Sequence, residues 1–283
     1  MSKVDQFESV FRAAERDIAE FTPLQCSKAL LVTDLASDEI DAYWQSLSRF
    51  TEHLGSLDCL KVGKADFSRV EETLKLLEAH QPELIFTYRN LHSEAWQFPH
   101  SLGEHLDVLC QKASCPILIL PHPKAGYAAQ HSLETPTRVI ALTDHLNHDI
   151  SLLNMGASIT APGGTLALTH VEDAQVFERY MSAISMIPGI ETDSARQLIG
   201  EQLLKSARDY ATSCEKAIEA SDLKIELTCE VDFGSRLEDI VHKIESQKAN
   251  LLVMHNRDDD QLAMHGLAYP LVVEVRQIPI LLF

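Results

Sequence analysis

Two aspartates stand where apolar runs stop. Ala29-Leu-Leu-Val-Thr33 ends at Asp34, and Arg138-Val-Ile-Ala-Leu-Thr143 ends at Asp144. A carboxylate at the carboxyl end of a buried strand lies where open α/β sheets hold ligands. It can equally serve as a turn residue that caps the next helix. His145, His148, His170, His255 and His265 fall near the same edge of the second half. With Asp144 or Asp258 beside them, imidazoles such as His145, His148 and His255 have the chemistry to hold zinc. The bland reading is scattered surface histidine, since the chain has 13 of them. The expectation is no metal.

Other reactive groups give less. Asp258-Asp259-Asp260 lacks the glycine and closing glutamate of a calcium loop, and reads as a solvated acidic turn. No serine sits in G-x-S-x-G, and no triad is discernible. The six cysteines form no C-x-x-C pair, and Cys115 and Cys229 lie in apolar runs. All six read as reduced and structural. The residues therefore offer a binding edge and no catalytic constellation.

The elements that position this edge occur twice. Gly103 precedes Pro116 in Cys115-Pro-Ile-Leu-Ile-Leu-Pro121, and Gly266 precedes Pro279 in Ile278-Pro-Ile-Leu-Leu-Phe283. Each copy reads as glycine, amphipathic helix, then a short strand opened by proline. Earlier runs at 57–62, 83–88, 165–170, 223–231 and 250–254 read as further strands, with helices between them. Residues 4–19 have helical spacing, and Ser68 with Glu71 has the form of a capping box. Strands alternating with helices predict a parallel sheet with helices on both faces.

The copies differ in length. The glycines and prolines match at an offset of 163 residues, but Asp34 and Asp144 match at 110. The first unit is therefore 53 residues short, about one edge strand and its crossover helix. We expect a first unit over 1–124, a linker over 125–136 containing Gly126, and a full second unit over 137–283.

Bulk composition narrows the function classes. A net charge of -18 disfavours nucleic acid and anionic membrane as partners. No apolar run reaches the roughly 18–20 residues of a membrane span. The N-terminus has no signal-peptide core, and a cytoplasmic location is expected.

In order and spacing, these motifs resemble the universal stress protein family in its tandem form. The carriers are the strand ending at Asp144, the strand ending His170-Val171, Gly234, Leu252-Val-Met254, and the Gly266-to-Pro279 ending. The first unit adds Asp34, Leu84-Ile85, Gly103 and Cys115-Pro-Ile-Leu-Ile119. The resemblance implies two flavodoxin-like (Rossmann-like) parallel-sheet domains in tandem, the first truncated. It implies ligand contacts at Asp144, Val171, Met254, His255, Asn256 and Gly266, with Asp34 and Gly103 as first-domain equivalents. Asp144 would meet a ribose, and Val171 and Met254 an adenine. Family members that bind ATP carry G-x2-G-x9-G-[ST] after the fourth strand. Here that loop keeps only Gly266, followed by Leu267 where the hydroxyl belongs, and carries three aspartates. In the first unit Glu104 follows Gly103. The expectation is a non-enzymatic stress-response or regulatory protein with no cofactor, acting on an unknown protein partner. The alternative is a sensor of ATP or AMP in the second domain. The final strands, which pair between subunits in the family, would pair within this chain, with a homodimer also open.

Overall fold

The computed structural model describes residues 21–98, 100–143, 150–256, 264 and 266–283. Asp144, His145, His148, Asp258 to Asp260, His265 and the helix expected over 4–19 lie outside the described residues.

Nine strands form one sheet in the order β2-β1-β3-β4-β9-β8-β5-β6-β7. They are β1 Lys28–Val32, β2 Asp58–Val62, β3 Leu84–Tyr88, β4 Ile117–Leu120, β5 Arg138–Thr143, β6 Thr165–Asp173, β7 Glu226–Gly234, β8 Leu251–Met254 and β9 Ile280–Leu282. Every neighbouring pair is parallel except β4 and β9. The helices are α1 Ile40–Ser46, α2 Ser48–Thr51, α3 Val70–His80, α4 Glu104–Lys112, α5 Ser151–Ile159, α6 Ala174–Ile184, α7 Thr192–Glu219, α8 Arg236–Ser246 and α9 Ala268–Glu274.

The first four strands run in the order 2-1-3-4, and the last five repeat that order with β7 added outside. The second unit thus exceeds the first by an edge strand and by the α6–α7 hairpin that leads to it. This is the truncation implied by the two offsets. Ile85 N bonds Pro116 O and Leu252 N bonds Pro279 O, so these strands are equivalent. Tyr88 then corresponds to His255, and Arg89 to Asn256.

Central strands are buried on both faces, so they read as continuous apolar runs. β3, β4, β8 and β9 are buried throughout. Alternate residues feed two layers of core. Ile85, Ile117, Ile119, Leu252, Ile280 and Leu282 face α4, α8 and α9. Phe86, Leu118, Leu120, Leu251, Val253 and Leu281 face the other side, which α5 and α7 cover. Both layers cross the β4–β9 seam without a break. The edge strands are more polar, as edges must be to avoid pairing with other chains. On β7, Glu230 pairs with Lys243 and accepts from Gln247 Nε2 at 2.7 Å.

Two local expectations shift. The box at the start of α3 is closed by Glu72, not Glu71: its carboxylate accepts from Ser68 N at 2.8 Å and Arg69 N at 3.1 Å. Adjacent glutamates made the register ambiguous. The connection after β4 is bolted to both units. Ala129 N bonds Gln277 O at 2.9 Å, and Thr135 Oγ1 bonds Arg49 O at 3.2 Å.

Candidate functional site

At the carboxyl edge of the first unit, β1 delivers Asp34 and β3 delivers Tyr88. The Tyr88 hydroxyl donates to Asp34 Oδ1 at 2.5 Å, and the His92 amide donates to Asp34 Oδ2 at 3.0 Å. Both carboxylate oxygens are therefore occupied from within the chain. Half-burial pushes the Asp34 carboxyl up, but the Tyr88 hydroxyl, the His92 amide and the nearby His122 and Lys124 outweigh it, and the net shift is downward. Burial, and then the Asp34 carboxylate, push the Tyr88 phenol well above its ordinary range.

Rings close the space above this pair. Tyr88 meets His122 edge-on at 4.8 Å, and Trp96 stacks on His122 at 4.7 Å. Desolvation pushes the His122 pKa down to about 4, with Asp34 opposing and Lys124 assisting. Beyond them Phe67, His92 and His105 form a second aromatic group, anchored by Thr73 Oγ1 against His105 Nδ1 at 3.0 Å.

The loop from Arg89 to Gly103 is laced to itself. Asn90 N donates to Leu102 O at 2.7 Å, and its side-chain amide donates to Ser101 O at 3.2 Å. Gly103 has φ +85°, and a Cβ there would lie 2.7 Å from Asn90 Cα. Only glycine fits such a backbone. This glycine closes a loop against backbone.

The corresponding edge of the second unit is different. Gly266 lacks a left-handed backbone, is exposed, and a Cβ there would meet no described atom within contact distance. Val171 and Met254 lie in one core layer, 4% and 1% exposed. His255 packs its ring against Phe283 at 4.4 Å. Asn256 N bonds Phe283 O at 2.9 Å, and its side-chain amide donates to Cys110 O of α4. A cleft of about 400 Å³ opens beside these residues, lined by Asp173, Gln175, Ser235, Leu237, Gly266, Leu267 and Pro270. Among the described residues that lining includes a carboxylate and neither lysine nor arginine. The Asp173 carboxylate already caps α6, accepting from Gln175 N at 2.9 Å and Val176 N at 3.0 Å.

Asn256 has a counterpart that the sequence did not reveal. Arg89, at the equivalent position, donates from Nε to Val272 O at 2.7 Å and from Nη2 to Val275 O at 2.6 Å. Each unit thus grips the last carbonyls of the other unit's final helix. Those carbonyls have no intrahelical partner, and a cation there also suits the helix dipole.

Among the described residues no group of three His, Cys, Asp or Glu side chains has metal-binding geometry. All six cysteines are free, and burial pushes thiols such as Cys59, Cys110 and Cys229 up to about 12, where they are unreactive. No described helix is long and apolar enough to cross a membrane.

No protein-family model and no curated protein matches the sequence. Similar solved structures include a functionally unknown protein from Pseudomonas aeruginosa, at 13% identity and TM-score 0.50, covering 92% of this chain and 82% of that one. They also include a universal stress protein from Archaeoglobus fulgidus, at 15% identity and TM-score 0.45, covering 90% of this chain and 85% of that one. At such identities the likeness is one of fold, and the fold is a tandem pair of flavodoxin-like units in one sheet.

Proposed function

We propose that this chain is a cytoplasmic regulatory protein of the universal-stress-protein kind, which acts through protein contacts and not through a phosphate-binding loop. The observation that carries this reading is the filled first edge. Both oxygens of Asp34 are bonded internally, and Gly103 packs on the Asn90 backbone. The second edge adds support, because none of the described residues lining its cleft is a lysine or arginine that could meet a phosphate. Exposed apolar side chains elsewhere also support this reading. Tyr180, Met186, Ile187, Ile190, Leu198 and Leu203 on the α6–α7 hairpin are all exposed. Apolar exposure gathered in one place marks interaction surfaces.

A sensor of ATP or AMP in the second unit is the competing reading. It is favoured by the open cleft beside Gly266. Calorimetric titration of the full chain with ATP, AMP and a wider nucleotide panel separates the two. We expect no saturable heat. A saturable signal with an adenine nucleotide, lost in Asp144→Ala, establishes the sensor and overturns the contact reading.

A further inference from the structure

The brace formed by Arg89 leaves part of its charge unused. Arg89 is 2% exposed, and two of its nitrogens serve Val272 and Val275. Its remaining nitrogen, Nη1, is buried and meets no hydrogen-bond acceptor. Nη1 of Arg276 and the hydroxyl of Tyr127, both atoms of half-buried residues, share this condition. They belong to one cluster. The Arg276 guanidinium lies over the Tyr127 ring at 4.6 Å, and both groups act electrostatically on Arg89.

No described carboxylate makes an ion pair with either arginine. Burial lowers the Arg89 pKa to about 10; Tyr127 opposes it, and the like charge of Arg276 adds a smaller lowering effect. At neutral pH the Arg89 guanidinium nevertheless remains charged. One buried and one half-buried guanidinium, each with a buried, unmet N–H group, and a phenol hydroxyl beside them form a cluster of donors that no described carboxylate answers. Buried donors are costly unless paired, and buried charges more so. A water molecule would fill a hydrogen-bond position but leave the like charges facing each other. An anion satisfies both requirements.

We propose that Arg89, Tyr127 and Arg276 bind a small inorganic anion, of the chloride or phosphate class, between the two units. The three residues come from the first unit, the connection and the second unit, so the anion ties all three segments together. Solvent is excluded from the three donor atoms, which limits the ligand to a few atoms and excludes a nucleotide. This site is separate from the carboxyl edge of the second unit and does not depend on whether that edge binds anything.

The test uses the full chain, exchanged into a buffer with a bulky organic counter-anion. It is titrated at constant ionic strength with sodium chloride and, separately, with sodium phosphate, while thermal stability is followed. The expected result is a saturable rise in melting temperature with at least one of the two. Tyr127→Phe, which keeps the ring and removes only the hydroxyl, should weaken the apparent affinity about tenfold. Arg276→Gln should abolish the saturable response, and both variants leave the Arg89 brace in place. Should Arg276→Gln fail to fold, Tyr127→Phe decides alone. No saturable response in the parent chain, or the same response in parent and variants (an adventitious ion only), overturns the proposal.

Discussion

The carboxyl edges of the two units descend from the same repeat and have opposite characters. The first is closed: Asp34, Tyr88, Trp96 and His122 pack together, and the loop beneath them is laced by Asn90. The second, among its described residues, has a cleft beside Gly266, where no described atom crowds the backbone. What the two edges retain in common is the residue after the strand, Arg89 or Asn256, which reaches across the seam. The difference teaches that a repeated motif keeps its mechanical role more readily than its binding role. Gly103 and Gly266 look equivalent in sequence, yet among the described residues only Gly103 has a backbone and neighbours that require glycine.

The largest effect should come from the brace itself. Arg89→Met strands two buried carbonyls and should cost about 3–5 kcal/mol in chemical unfolding, whereas Asn256→Ala, which loses one neutral donor, should cost about 1–2 kcal/mol. Equal losses would mean that the two braces are not the unequal partners their chemistry implies. Next come the glycines. Gly103→Ala should destabilise by about 2–4 kcal/mol, combining left-handed strain with contact on Asn90, and Gly266→Ala by no more than about 0.5 kcal/mol. A costly Gly266→Ala would show that the second loop has demands of its own.

A pH experiment sharpens the contrast further. The folded pKa of His122 is near 4, below the ordinary value of about 6.5. Between those values the folded chain holds fewer protons than the unfolded one, so stability from this group is full above about pH 6.5 and is lost as pH falls toward 4. Asp34, also shifted downward, adds its loss on the acid side as pH falls through its lowered value. In a Trp44→Phe background, Trp96 emission should change with a midpoint near pH 4, because Trp96 stacks on His122. The change should vanish in His122→Phe, and an unaltered curve there would detach the first edge from this histidine. The smallest effect belongs to the α6–α7 hairpin, which only the second unit has. Leu198→Glu should alter stability by less than about 0.5 kcal/mol while reducing the binding of a hydrophobic dye.

Much of the scaffold was legible in the sequence, for a physical reason. Buried parallel strands such as Ile117–Leu120 and Leu251–Met254 announce themselves as apolar runs, and the mismatch between two offsets exposed the missing edge strand. The contents of the edges were not legible. Tyr88 meets Asp34 from 54 residues away, and Arg89 meets Val272 from 183. Nothing local distinguishes a buried arginine after a strand from an exposed loop charge. Val171 and Met254 could be placed at strand ends, but their burial follows from packing that sequence spacing does not encode.

The final helices carry one further consequence. α9 begins at the second cleft, where Gly266, Leu267 and Pro270 form part of the wall, and ends in carbonyls held by Arg89 at the first edge. At seven residues it is about 10 Å long. α4 does the reverse, starting at Gly103 of the first edge and ending in the hold of Asn256. The antiparallel seam points the two edges in opposite directions, and these short stiff rods connect them again. A partner seated in the cleft would bear on the start of the helix whose last carbonyls Arg89 holds. The molecule thus carries two short helices, each begun at one unit's edge and held at its end by Arg89 or Asn256 of the other unit.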